Sequence, residues 1–187
     1  MPILQLMSER IKAIPREIKL FFVRALLLFI AWKLIYLYFL SPIQIPDDWL
    51  SRFTTIISSK LIQLIYPDSF ITIHKTNQLY AIAINGKQSI GLGYACNALE
   101  LYVLYIGYII CRPAAFKRQI TYGITGIAFI FFLNIIRVSL LCWLFLYDSS
   151  YGDFAHKYVF NCVVYFCIYW LWHYYSLPMI RKNHSLL

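Results

Sequence analysis

Long apolar runs separated by short polar segments set the pattern of this chain. A helix needs about twenty apolar residues to cross a bilayer, and runs of this kind recur along the sequence. They predict spanning helices over about residues 20–40, 97–111, 119–147 and 156–177. The sequence therefore predicts an all-α membrane protein, a single domain over residues 1–187 with about four transmembrane helices.

The stretch between about residues 41 and 95 departs from this pattern and is predicted to be an exterior insert. Over residues 49–66 the apolar side chains recur at helical spacing on one side, while serines and threonines fill the other side. This indicates an amphipathic helix on the outer leaflet or over the end of the bundle. Asp47 or Asp48 is expected to cap its start.

The second half of the insert changes from helical to strand-like spacing. Over residues 70–94 the pattern has a period of two, and Asn85-Gly86 is a strong hairpin signal. Open sheet edges cannot lie in hydrocarbon, because their backbone groups would have no hydrogen-bond partner. A small β-meander outside the membrane is therefore expected.

Composition and charge support a membrane location. Of the 187 residues 61% are hydrophobic and 13% are charged, with a mean hydropathy of +0.64. The 17 lysines and arginines outnumber the 8 acidic residues, but they flank the apolar runs, which is the pattern that orients membrane proteins. We therefore expect a lipid bilayer and no nucleic acid as partner, with both basic termini in the cytoplasm.

The five cysteines have neither the spacing of a zinc site nor that of a disulfide framework, so no metal and no structural bridge is expected. Three of them lie within apolar helices without a charged neighbour in sequence, and a packing role is predicted for Cys142, Cys162 and Cys167. Cys96 differs, because it follows a polar segment at the start of a helix. There the helix dipole and free N–H groups would favour the thiolate, although free cysteines are also often buried and inert.

Arg137 and His156 are the other candidates for chemistry. Arg137 lies inside an apolar helix, where an arginine costs about 2.5–3.5 kcal/mol or more without a partner. The predicted topology places Cys96, Arg137 and His156 near one level toward the exterior, so the three can meet. Asn134 shares the face of Arg137, and Glu100 follows Cys96 by one turn. Glu100 and Arg137 could alternatively be a buried pair that holds two helices in register, a role that is compatible with catalysis.

Three sequence features resemble the exosortase and archaeosortase membrane proteins: Ala95-Cys96 at a helix start, Asn134-Ile135-Ile136-Arg137 in an apolar helix, and His156 opening the last span. The resemblance covers roughly residues 90–160. It implies a cysteine transpeptidase or protease in which Cys96 is the nucleophile, Arg137 the stabilising cation and His156 the acid or base. Asn97-Ala98 and Phe160 stand where the commoner family pattern has Ser-Gly and a glycine, which indicates a divergent branch.

The resemblance also implies the setting of the reaction. The substrates would be exported proteins with a short C-terminal motif, one transmembrane helix and a basic tail. They would be cleaved without a cofactor at the outer face of a bacterial inner membrane. The oxyanion would be stabilised by Arg137, by N–H groups around Asn97 and Ala98, or by the Asn134 amide. Glu100 would disfavour the thiolate unless Arg137 neutralises it.

Two other classes of protein share some of these features. A small transporter or channel subunit could use Arg137 as an intramembrane charge, although four spans without a repeat suit alternating access poorly. A membrane assembly partner could pair Arg137 with a helix of another protein. It would have no use for the thiol of Cys96.

Overall fold

A computed structural model describes residues 15–76, 79–112 and 114–184 of the chain. The basic lead-in expected over residues 1–14 lies outside the described residues. The described chain forms helix α1 (Arg16–Ile43), helix α2 (Ile45–Ile65) and strands β1 (Ile71–Thr76), β2 (Leu79–Ile84) and β3 (Lys87–Gly93). A 3₁₀ turn (Tyr94–Cys96) follows, and then helices α3 (Leu99–Cys111), α4 (Phe116–Tyr147), α5 (Ser149–Phe154) and α6 (Phe160–His184). The molecule is thus mostly helical with one small sheet, as predicted.

Among the described residues, α1 and α4 are long and apolar enough to cross a membrane. Helix α3 is apolar but has only 13 residues, and α6 is rich in tyrosine and tryptophan. No side chain of α1 up to Ile35 is buried, so its apolar residues face outward along most of its length. By length and composition these two helices are candidate membrane spans, while four crossings with an exterior insert stay a prediction.

The sheet is an antiparallel meander in the order β1-β2-β3. Asn85 and Gly86 make the turn between β2 and β3 with φ values of +53° and +77°, a backbone conformation that glycine and asparagine tolerate. Ile82 on β2 is fully buried and packs with Ile62 of α2 and Val138 of α4. The sheet is therefore attached to one end of α4 through a common core.

Helix α2 turns its polar side inward and its apolar side outward. The small polar residues of this face are buried: Ser51, Thr54, Thr55, Ser58 and Ser59. Ser58 Oγ donates to the Ile135 carbonyl of α4 at 3.5 Å, and the rings of Phe53 and Phe131 stack 5.5 Å apart. Leu64 and Trp49 are exposed. Small residues allow helices to approach closely, so this face of α2 lies directly against α4.

The expectation that Asp47 or Asp48 caps α2 is wrong. The helix begins at Ile45 after Gln44, which has a left-handed backbone (φ +56°), and neither carboxylate is at the cap. Pro46 explains the shift, since proline is favoured in the first helical turn and moves the start upstream of the aspartates. Both aspartates are instead engaged with other elements, as described below.

A second core joins α3, α4 and α6. Tyr105 and Ile130 are buried there with Ile168 of α6. Tyr105 lies against Gly126 and its hydroxyl donates to the Tyr122 carbonyl at 2.8 Å, so its ring is fixed against α4. This close contact sets the separation of α3 and α4.

Candidate active site

Cys96 lies in the 3₁₀ turn that leads from β3 to α3. Ala98 has a left-handed backbone (φ +65°) and α3 begins only at Leu99. Cys96 therefore precedes the helix by three residues, and the expectation that it sits in the first helical turn is wrong. The reason is Asn97, whose Oδ1 accepts from the Leu99 N–H at 2.9 Å and so starts the helix after the turn.

Two asparagine side chains hold this turn from opposite sides. Asn97 is 1% exposed, and its Nδ2 donates to Asp47 Oδ1 at 2.8 Å and to the Asp47 carbonyl at 3.3 Å. Asn134 Nδ2 donates to the Cys96 carbonyl at 3.2 Å. The backbone of Cys96 is thus attached to both α2 and α4. Both asparagines are positioning residues: each donates from Nδ2 to the chain, while Asn134 Oδ1 is buried without a hydrogen-bond partner among the described residues.

A hydrogen-bond network around Asp48 of α2 connects the Cys96 turn to the sheet. Asp48 Oδ1 accepts from Lys75 Nζ at 2.6 Å, from the Tyr80 hydroxyl at 3.0 Å and from the Tyr94 hydroxyl at 3.5 Å. The hydrogen bond from Lys75 lowers the pKa of the Asp48 carboxyl, and the carboxylate in turn raises the pKa of Lys75. Asp48 therefore stays charged at neutral pH and links Tyr94 to two strands.

His156 reaches Cys96 from the other end of the sequence. Its Nε2 lies 3.6 Å from Cys96 Sγ, a hydrogen-bond distance for sulfur. His156 lies in a π-helical turn (Ala155–Val159) between α5 and α6. Such a turn adds a residue to the helix and rotates the side chains within it, and it is often found at functional sites. The thiol and the imidazole can therefore exchange a proton directly.

Arg137 is 9% exposed and lines the same cavity as Cys96 and His156. Its guanidinium is near enough to His156 for their charges to interact. Over residues 15–76, 79–112 and 114–184, no hydrogen bond or ion pair joins Arg137 to a carboxylate. A buried arginine in an apolar setting needs an anionic or polar partner, so the cavity wall carries a cation that a bound group could engage.

The expected pairing of Glu100 with Arg137 is wrong. Glu100 Oε1 instead accepts from Lys33 Nζ of α1 at 3.0 Å. Glu100 follows Cys96 by four residues, but Cys96 lies before α3, and the side chain of Glu100 leaves α3 toward α1. Glu100 is therefore neutralised by Lys33, the lysine that interrupts the first apolar run.

These residues share an elongated groove of about 890 Å³ between α1, α3 and α6. One end contains Cys96, His156 and Arg137, with Lys33 and Glu100 nearby. The groove continues along α3 as far as Cys111, and most of the lining there is apolar: Phe21, Leu28, Leu104, Tyr108 and Trp172. It can accommodate an extended or helical apolar segment whose end reaches the thiol.

Of the remaining cysteines, Cys111 lines the far end of the groove, whereas Cys142, Cys162 and Cys167 are outside its lining. All five cysteines are free thiols. Cys142 is fully buried in the core beneath the sheet, in agreement with a packing role, and Cys167 is partly buried. Cys162 is exposed, so the expectation that it packs within the chain is wrong, because this side of α6 faces away from the other elements.

Comparison of this chain with family models, with curated proteins and with solved structures finds no match.

Proposed function

We propose that this protein is a membrane-embedded cysteine transpeptidase or protease that cleaves the C-terminal sorting signal of exported proteins at the outer face of the membrane. The observation that carries the proposal is the 3.6 Å contact between Cys96 Sγ and His156 Nε2 at one end of the apolar groove. A thiol next to an imidazole is the arrangement that activates a cysteine nucleophile. The buried cation of Arg137 completes the site.

The first half of the reaction forms a thioester. His156 Nε2 takes the proton of the Cys96 thiol, and the sulfur attacks the carbonyl carbon of the scissile peptide. The negative charge that develops on the carbonyl oxygen is stabilised by the cation of Arg137, which is itself buried in the groove wall. The imidazolium then gives its proton to the leaving amine as the C–N bond breaks.

The second half releases the product. An incoming amine or water gives its proton to His156 and attacks the thioester carbon, and the sulfur leaves and is protonated again. An amine gives ligation, whereas water gives hydrolysis. Asn134 and Asn97 keep the Cys96 turn in place during both halves, since their side-chain amides bind the chain itself.

The groove supports the proposed class of substrate. It is mostly apolar, it runs along α3, and α1 on its other side has apolar side chains that face outward. A single transmembrane helix of an exported protein would lie along it and place its motif beside Cys96, while its basic tail would stay in the cytoplasm. The lengths of α1 and α4 support the membrane location.

The test is a comparison of Cys96→Ala with Cys162→Ala in the native host. Cys162 is an exposed free thiol outside the groove, so its variant controls for the loss of a cysteine. We expect full-length proteins with an intact C-terminal helix to accumulate in the membrane of Cys96→Ala cells only, as measured by mass spectrometry. Equal amounts of uncleaved protein in both variants would contradict the proposal.

A second candidate is a membrane assembly partner that binds a carboxylate of another protein through Arg137. The observation that favours it is the lack of a carboxylate partner for Arg137 within the described part of the chain. This candidate predicts that Arg137→Ala releases a co-purifying protein, whereas Cys96→Ala has no effect on binding or on processing.

A further inference from the structure

We infer that Glu100 and Lys33 select the polypeptide that enters the groove, and that the feature they select is a basic side chain a few residues beyond the scissile bond, toward the membrane. The inference rests on the proposed function, because it names a recognition element of the same site. Glu100 is the residue that binds the basic side chain, and Lys33 is the internal cation that this side chain replaces.

The position of the pair is the first step of the argument. Glu100 lies in the first turn of α3, four residues after Cys96, and Lys33 lies on α1. Their 3.0 Å contact joins two of the helices that form the groove, and both residues line it together with Cys96. A segment whose scissile carbonyl is at Cys96 therefore passes Glu100 within its next few residues.

The exposure of the two side chains indicates which of them meets the bound segment. The side chain of Glu100 is 80% exposed and that of Lys33 is 48% exposed. The carboxylate accepts one hydrogen bond, from Lys33 Nζ, although its two oxygens can accept about four. A charged group with open hydrogen-bonding positions becomes costly once an apolar segment covers it, so a bound segment that donates to Glu100 avoids that penalty.

Charge complementarity with the Glu100 carboxylate favours a cation as this donor. If a neutral apolar segment filled the groove, the ion pair would be covered without new partners. If a lysine or arginine of the segment takes the place of Lys33, the carboxylate keeps an opposite charge. Lys33 has a long flexible stem beside the Phe29 ring, 5.9 Å from its centroid, and can move its ammonium toward the lipid headgroups. The exchange of one cation for another thus leaves no buried charge unpaired.

The experiment uses a precursor that accumulates in Cys96→Ala cells, with its cleavage site read from the new C-terminus in wild-type cells. Two forms of its tail are compared, one unchanged and one in which the basic residue beyond the cleavage site is replaced by Glu. Both are processed by the full-length enzyme and by Glu100→Lys, Glu100→Gln and the control Glu17→Lys. Glu17 is an exposed acid in the first turn of α1, at the far end from Lys33.

We expect Glu100→Lys to slow cleavage of the unchanged tail about tenfold and to restore cleavage of the reversed tail, as in a charge-swapped interface. Glu100→Gln keeps the size of the side chain and removes its charge, so it should cleave the two tails at similar rates. This variant keeps the test decisive if Glu100→Lys folds poorly. Glu17→Lys should behave as the wild type.

Cleavage of the unchanged tail by both Glu100 variants at the wild-type rate would overturn the inference. The inference would also be overturned by precursors that lack a basic residue within about two helical turns beyond the cleavage site. That result is expected if lipid, and not the substrate, covers the ion pair. These results leave the proposed function standing. Only the absence of any accumulating precursor in Cys96→Ala cells would remove both.

Discussion

At the scale of single residues, the proposed reactivity of Cys96 depends on one neighbour and on the turn that holds it. Its thiol is 3.6 Å from His156 Nε2, and its carbonyl accepts from Asn134 on α4. The sequence indicated Cys96, Arg137 and His156 through their unusual surroundings, since a charge inside an apolar helix needs a reason.

The partners of the polar side chains could not be predicted in the same way. A pair of Glu100 with Arg137 was one alternative, but Glu100 binds Lys33, because helical spacing gives the direction of a side chain on its own helix and leaves the neighbouring helix unknown. The contact of Asp47 with Asn97 spans 50 positions of sequence and was missed. The available signal was Asn97 itself, as asparagine is favoured just before helices.

We predict that His156→Ala slows the alkylation of Cys96 by a membrane-impermeant iodoacetamide at neutral pH by about tenfold or more, since the base that takes the thiol proton is lost. His173→Ala is the control, because His173 is exposed on α6 among Trp170 and Tyr174. The rate is measured by mass spectrometry of the Cys96 peptide. An unchanged rate in His156→Ala would show that the imidazole does not activate the thiol.

At the scale of elements, hydrophobic periodicity predicted the helices and the three-stranded meander well, and the turn at Asn85-Gly86 fixed the hairpin. The pattern also gave α2 two distinct faces. The pattern did not predict which face packs on α4, because the same pattern fits a helix at a water interface. In the structure the serine and threonine face packs there. The π-helical turn at His156 has no sequence signal of this kind.

The packing of α3 on α4 gives a prediction for two glycines of α4. In Gly126→Ala the new methyl group would collide with the Tyr105 ring, which its hydrogen bond to Tyr122 keeps from moving away. We expect a loss of about 1–3 kcal/mol in stability, as for other overpacked cores. The measurement is thermal unfolding of the purified protein in detergent.

Gly123→Ala is the matched control one turn earlier. A methyl group there meets Ile106 Cδ1 at 3.6 Å, an ordinary contact, and alanine favours the helix over glycine. Its melting temperature should equal or exceed that of the wild type. Equal melting temperatures of the two variants would contradict the close approach of α3 and α4 at Gly126.

At the scale of the whole molecule, the groove unites elements that are far apart in sequence. The groove contains Lys33 of helix α1, Cys96 of the turn after β3, Arg137 of helix α4 and His156 of the π-helical turn before α6. Sequence analysis predicted that the last three would meet at one level. It did not predict a groove along α3, because the spacing between helices depends on contacts such as Gly126 with Tyr105.

The central claim is that Cys96 becomes acylated by a cleaved polypeptide, and hydroxylamine tests this most directly. Hydroxylamine attacks thioesters, so its addition to cells or membranes should yield exported proteins that end in a C-terminal hydroxamate, detected by mass spectrometry. We predict these products in the wild type and in Cys162→Ala and their absence in Cys96→Ala. Hydroxamates in Cys96→Ala, or none in a wild type that still cleaves the tails, would contradict the account.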